Sequence, residues 1–411
     1  MTQKGENDVW KLSDIFKENT SYKMFIVSVV GIGLSWGLYK GIIDNYLAEI
    51  VSMNSFDKGV SEFFRELPGL LLVLILAAFY MFSAEKLFRM GALITLIGMV
   101  MQTVVTPTKA MVILAIFVFS LGEHIQLGMR NTIPLQYAKE GRGGAALGIQ
   151  NSSYQFGTLA GYVAVIAIFF FVQSSLGLYR TVFGISAVII ALEFLATLRL
   201  TGNSQTDENK RRFYFNKKYS KYYMLEVFYG ARKQIFLTFG PYVLVLFYGA
   251  NAMTISILFS IAAICSFMAS PLVGKIIDRF GYKIVMIMDT LILVIVCFFY
   301  GFAHHIFSMD IAFIVCCFNY ILDSVISLAS MASNVYVQDL SENEAEVKAT
   351  ISTGLSVNHM ITILIALFGG WIWQTLGIET LFILSAILGL CNSAYAATIK
   401  KPLIKKGDIY L

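Results

Sequence analysis

The chain has 411 residues, of which 57% are hydrophobic and only 14% charged, with a net charge of +5 and a mean hydropathy of +0.71. A water-soluble domain carries about 25% charged residues, so this chain has too little charge to coat a globule in water. It reads as an all-α polytopic membrane protein embedded in a lipid bilayer, and its basic residues border apolar runs rather than form a nucleic-acid surface.

In chain order, a polar segment over 1–21 lacks the apolar stretch and small-residue cleavage site of a secretory signal peptide. Twelve apolar runs follow, each long enough for a hydrocarbon core of about 30 Å. They cover 22–50, 59–83, 88–106, 109–137, 143–172, 177–199, 222–249, 252–274, 283–303, 306–337, 349–375 and 377–399. The only long polar interior stretch separates the sixth from the seventh. The expected organisation is therefore a six-helix bundle over 22–199, a cytoplasmic linker over 200–221, a second bundle over 222–399 and a tail over 400–411.

Lys and Arg concentrate in cytoplasmic loops. With the N-terminus inside, inner segments hold Lys17, Lys86, Arg89, Lys139, Arg142, Lys210, Arg211, Arg212, Lys283, Lys400 and Lys401, among others, while the outer loops hold only Lys58, Lys109 and Arg180. Both termini are therefore expected in the cytoplasm, and the chain in the cell membrane. The five cysteines, Cys265, Cys297, Cys316, Cys317 and Cys391, lie in apolar runs and read as small core residues. His124, His304, His305 and His359 read as too scattered for a metal site, and no motif implies a cofactor.

The run 230–249, GARKQIFLTFGPYVLVLFYG, raises a sharper point. From Gln234 onward too few residues remain to span about 30 Å at about 1.5 Å per residue. The helix must begin near Tyr222, which places Arg232 and Lys233 about 15 Å along it, inside the membrane. Adjacent side chains diverge by about 100°, so one of the two is expected to face a cavity while the other pairs with a neighbouring helix. Glu226 lies on the face of Lys233.

Intramembrane ionisable groups cost about 2.5–3.5 kcal/mol each and point to function. Trp36, Lys40 and Asp44, four apart, form one stripe in which Lys40–Asp44 is either a local ion pair or a substrate or proton contact. Glu123 and Arg130 share a face of the fourth span. The tenth carries a polar seam of Asn319, Asp323, Ser327, Ser330 and Asn334, and the fifth another of Asn151, Gln155 and Thr158. Glu62, Arg65 and Glu66 open the second span as a gate or structural network. The sixth and ninth spans carry one acid each, Glu193 and Asp289.

The halves echo each other. The first span of each places a basic residue early, in WGLYKG at 36–41 and in YGARKQ at 229–234. In the fifth span of each, a basic residue precedes a glycine by six, Arg142 to Gly148 and Lys348 to Gly354. With the six-plus-six layout this implies an internal duplication.

Between the eighth and ninth spans lies GKIIDRFGYK, residues 274–283. It resembles the inner-loop signature G-x-x-x-D-R-x-G-x-K of the major facilitator superfamily, matched by Gly274, Asp278, Arg279, Gly281 and Lys283. The first-half loop, MFSAEKLFRMG, keeps Glu85 and Lys86 at the Asp-Arg positions and lacks both glycines. In the fifth span Gly148, Gly157 and Gly161 are similar to the start of the glycine pattern of the family's antiporters, without its continuation. The resemblance implies two six-helix bundles rocking about a central cavity, lined by the first and fourth spans of each half, with the third and sixth spans facing lipid. It also implies a monomer without cofactor, in which the 274–283 loop gates the cycle by charged contacts between helices.

The resemblance then makes Trp36, Lys40, Glu123, Arg130, Arg232, Lys233, Asn319 and Asp323 the expected substrate contacts, and Asp44, Glu123, Glu226 and Asp323 the proton carriers. Basic residues in the first span of both halves are similar to the cation pairs of the family's organophosphate exchangers. Guanidinium and ammonium groups suit phosphate or carboxylate. The implied function is secondary transport of a small organic anion or zwitterion by alternating access, coupled to protons or to exchange. The alternatives are a proton-coupled exporter of lipophilic cations and a non-transporting receptor of the same fold. A Gly-Lys-Ser/Thr phosphate loop for an ATP-driven pump is absent from the sequence, as is the nucleophile or metal cluster of an intramembrane enzyme.

Overall fold

The computed structural model describes residues 12–17, 20–79, 81–201 and 215–399; the linker and tail lysines and arginines from Lys210 to Arg212 and from Lys400 onward lie outside them. Twelve long helices follow one another among the described residues. In the first half they are α1 Thr20–Asn45, α2 Ser55–Ala78, α3 Ala84–Val104, α4 Lys109–Arg130, α5 Gly143–Phe171 and α6 Leu176–Thr197. In the second they are α7 Ser220–Leu246, α8 Ala252–Phe280, α9 Tyr282–Ile306, α10 Met309–Ile326, α11 Glu344–Leu376 and α12 Ile378–Ala397. Ten of the helical segments are long and apolar enough to cross a membrane. The other two, α2 and α7, have 24 and 27 residues and are made less apolar by the charged residues they carry.

Local chemistry sets the ends of these helices. α2 starts four residues before the apolar run because Asn54 and Asp57 form a reciprocal cap: Asp57 N–H donates to Asn54 Oδ1 (2.9 Å) and Asn54 N–H to Asp57 Oδ2 (3.0 Å). Lys58, expected in an outer loop, therefore lies inside the helix. Gly281, at φ 81°, and Gly377, at φ 91°, each end one helix and begin the next, a conformation closed to most side chains. α1 ends in a π-helical turn, Tyr46–Ile50. α10 tightens into a 3-10 turn at Ser327–Ser330 and then continues as a further helix, Met331–Leu340.

The chain divides into two compact units, Met1–Tyr46 with Leu71–Asn209, and Leu47–Leu70 with Lys210–Leu411. Within the first, α1 packs on α5 and α6, and α3 on α4 and α6; within the second, α7 packs on α11 and α12, and α9 on α10 and α12. Each pairing in one unit reappears in the other six helices later, as a duplicated six-helix design requires.

A close crossing in the first unit explains the glycines of α5. A Cβ on Gly161 would meet the Leu34 carbonyl oxygen at 2.6 Å, one on Gly157 would meet the Leu34 nitrogen at 2.8 Å, and one on Gly37 would meet Gly161 Cα at 3.0 Å. Small residues on both helices let the backbones touch. Gly157 and Gly161 thus hold α1 against α5, whereas a Cβ on Gly148 would meet nothing within 4 Å.

The first half of α2 belongs to the second unit, a departure from the six-plus-six boundary. Ser55 Oγ donates to Gln374 Oε1 (2.8 Å), Tyr242 Oη to the Met53 carbonyl (2.6 Å), and Gly59 lies against Gly370 of α11.

Candidate functional site

In α7 the two cations part company. Arg232, 1% exposed, donates from a terminal guanidinium nitrogen to Asp289 Oδ2 of α9 at 2.6 Å and lies over the Tyr229 ring. Asp289 is held further by the Thr290 hydroxyl (3.3 Å), which also reaches the Gly389 carbonyl of α12 (3.2 Å). Arg232 is therefore the member that pairs with a neighbouring helix. Lys233 is half-buried, with its ammonium 5.8 Å from the centroid of the Tyr229 ring and in no ion pair among the described residues. Glu226 accepts from Ser333 Oγ (3.0 Å) and from Asn358 Nδ2 (3.2 Å) of α11.

The polar seam of α10 is shorter than its sequence spacing implies. Asn319 and Asp323 are buried, Asn319 donating to the Val315 carbonyl (2.7 Å), and Asp323 lies within electrostatic reach of Arg232 and Lys233. Beyond Ile326 the 3-10 turn changes the helical phase, and Asn334 emerges exposed.

In the first unit Lys40 and Asp44 form the local ion pair at 3.1 Å, with Asp44 fully buried. Trp36 stacks on Phe119 and lines a water-sized cavity together with Thr95, Glu123, Gln126 and Glu193. Arg130 lies 3.9 Å from the centroid of the Tyr154 ring and, like Lys233, pairs with no carboxylate among the described residues. Each unit thus ties a cation of its first helix to an acid, Lys40 to Asp44 and Arg232 to Asp289, and sets another cation against a tyrosine face.

Glu193 and Asp289 are the single acids of the sixth and ninth spans, which the family resemblance implies face lipid. Both instead point into their own unit, at 3% and 7% exposure. A carboxylate has no counter-ion in hydrocarbon, so each turns to the nearest polar helix. For Asp289 this is Arg232. For Glu193 it is Gln126 of α4, whose amide donates to Oε1 (2.9 Å) while Thr95 donates to the same amide's oxygen (3.3 Å). The sequence signal was the single acid in an otherwise apolar run; its partner could not be read from spacing.

The 274–283 loop shows one clamp where charged latches were expected. Asp278 and Arg279 are exposed, Arg279 lying over the Phe280 ring, and neither forms an ion pair among the described residues; a Cβ on Gly274 would meet nothing within 4 Å. Lys283 donates to the Ile399 carbonyl at the end of α12 (2.9 Å). In the first unit Arg89, not Lys86, does the equivalent work. Its guanidinium donates to the carbonyls of Thr197 (3.1 Å), Leu198 and Leu200 at the end of α6. A cation on the third helix of each unit thus satisfies the last carbonyls of the sixth. Glu85, at the Asp position of the degraded motif, is buried and accepts from Tyr137 Oη (3.3 Å).

The charges that open α2 form a buried network. Lys58 pairs with Glu62 (3.3 Å) and lies over Tyr242, Arg65 pairs with both Glu62 and Glu66, and Glu66 meets His359 Nδ1 of α11 (3.2 Å). The histidines are also less scattered than their numbers imply: His304 and His305 both reach Glu379 of α12. All five cysteines are free.

Residues 222–406 match the model of the Major Facilitator Superfamily. No curated protein sequence matches the chain. Solved structures with the same fold include the nucleoside transporter NupG as a D323A mutant, at 19% identity and TM-score 0.72, covering 93% of this chain and 100% of that one. The xylose transporter XylE from E. coli, inward open, aligns at 11% identity and TM-score 0.69 over 94% and 97% of the two chains. A POT family transporter in complex with 5-aminolevulinic acid aligns at 12% identity and TM-score 0.71 over 91% and 94%.

Proposed function

We propose that the chain, a multi-pass membrane protein whose residues 222–406 match the Major Facilitator Superfamily, is a transporter of that superfamily and carries a small organic anion or zwitterion across the cell membrane by alternating access. The observation that supports this substrate class is the pair of half-buried cations, Arg130 and Lys233, which lie over tyrosine faces and form no ion pair among the described residues. A cation midway along a membrane-spanning helix without an ion-pair partner, as Lys233 is in α7, is costly, on the order of 2.5–3.5 kcal/mol, unless an anion offsets it during the cycle. A carboxylate or phosphate suits both groups. Lys40 and Arg232, expected to share that work, are already in ion pairs with Asp44 and Asp289.

A zwitterion is equally accommodated, because Asp323 lies within electrostatic reach of Lys233 in its unit and Glu123 shares a helix with Arg130 in the other. Zwitterionic 5-aminolevulinic acid in the related fold fits this reading. Coupling to protons or to a counter-substrate would run through Glu123, Asp323, Asp44 or Glu226. The asymmetry of Lys and Arg between loops supports cytoplasmic termini.

The test is counterflow in proteoliposomes with pooled anionic, zwitterionic and cationic solutes. Arg130→Gln and Lys233→Gln are each expected to lower flux of the charged organic solute by at least about tenfold, the loss of one charge-assisted contact of about 1.5–3 kcal/mol. Flux of a cationic solute that survives both substitutions would refute the reading.

A further inference from the structure

We propose that the ends of α9 and α12 form a divalent transition-metal site, with His304, His305 and Glu379 as its ligands. His304 Nε2 and His305 Nε2 lie 3.3 and 2.8 Å from the same carboxylate oxygen, Glu379 Oε1, and the two imidazole centroids are 4.0 Å apart. The three ligand atoms all fall within 4.8 Å of one another.

Neighbouring residues on a helix diverge by about 100°, so two consecutive imidazoles converge on one point only when both side chains are turned toward it. A tetrahedral ion with bonds of about 2.0–2.1 Å places its ligand atoms about 3.3 Å apart. The two histidine–carboxylate separations already lie within about half an ångström of that edge, and the third separation is at most 4.8 Å.

The first unit supplies the contrast. At its equivalent corner Arg180 of α6 donates to the Val105 carbonyl at the end of α3 (2.9 Å), a clip that joins the corresponding pair of helices without an imidazole or carboxylate. The second unit makes the corresponding clip from two imidazoles and a carboxylate. This donor set suits zinc or copper and is a poor match for magnesium or calcium, which take oxygen ligands. His305 is more than half exposed, which leaves an approach path and a fourth position for water. With the termini cytoplasmic, the site faces outward.

The experiment uses the full chain without a histidine tag, in detergent, in competition with a chromogenic zinc chelator. The parent is expected to hold one equivalent of zinc and to gain thermal stability from it. His305→Ala and Glu379→Gln should each weaken binding by at least the ~10-fold that even an outer-shell change costs a metal site, and both should lose the stabilisation. His305 and Glu379 are partly exposed, so the variants are expected to fold, and their zinc-free melting temperatures check this. A parent that surrenders zinc to the chelator as readily as either variant, or variants that bind as the parent does, would overturn the site. Neither outcome depends on what the protein transports.

Discussion

Arg232→Ala should be among the most destabilising substitutions in the second unit. The guanidinium is fully buried, and its removal leaves the buried Asp289 carboxyl without its partner, with Asp323 in the same electrostatic neighbourhood. Breaking a buried pair by removing one partner costs about 3–5 kcal/mol, whereas replacing both partners with apolar residues of similar volume is often neutral. In a unit of this size that loss corresponds to a fall in melting temperature on the order of 10 °C. The double variant Arg232→Met with Asp289→Leu should recover most of it. Three measurements of thermal unfolding in detergent decide the matter. If the single substitution leaves the melting temperature unchanged, the pair does not hold α7 to α9. If the double variant melts as low as the single, the lost stability lies in the packing of Arg232 on Tyr229 and not in the ion pair. Counterflow by the recovered double variant would further separate Arg232 from Lys233 as substrate contacts.

What the sequence made legible was the set of spans and the depth of their charges, because a hydrocarbon slab imposes length and apolarity on each segment independently of the rest. Each of the twelve runs became a helix, and Arg232 and Lys233 proved to lie within α7. What it left dark was every pairing between helices. Asp289 lies 57 residues from Arg232, and periodicity names the face a residue occupies without naming the neighbour across from it. The same limit hid Glu193 and its amide partner Gln126. Motif matching failed for a related reason: the inner-loop pattern fixed attention on Asp278 and on Lys86, while the contacts that close the third helix on the sixth are made by Lys283 and Arg89. Arg89 carried a readable signal, a cation in the first turns of the third span, but the missing glycines concealed its equivalence.

Gly59→Leu should loosen the first half of α2 from α11. A Cβ at Gly59 would meet the Ala366 carbonyl oxygen at 2.5 Å and Gly370 Cα at 3.0 Å, both backbone atoms that no side-chain rotation can move aside. Two effects oppose each other. Leaving glycine in a helix interior gains about 0.5–1 kcal/mol of helix propensity. Forcing extra carbons into a packed contact costs about 1–3 kcal/mol. At Gly59 the clash wins, since relief requires the helices to separate. At Gly148, where a Cβ would meet nothing within 4 Å, the propensity gain stands alone and Gly148→Ala should raise stability by about 0.5–1 kcal/mol. Separation at Gly59 also breaks the Ser55–Gln374 hydrogen bond and parts Glu66 from His359, so the buried charge network opens to water together with the crossing. A thiol reporter reads this directly. Ser55→Cys, at a buried position, should react slowly with a membrane-impermeant maleimide in the parent and several-fold faster in the Gly59→Leu background. Equal rates in the two backgrounds, with equal melting temperatures, would mean that the glycine pair does not set the α2–α11 approach. Faster labelling with a native-like melting temperature would instead identify the crossing as a separable gate, the role the charges opening α2 imply.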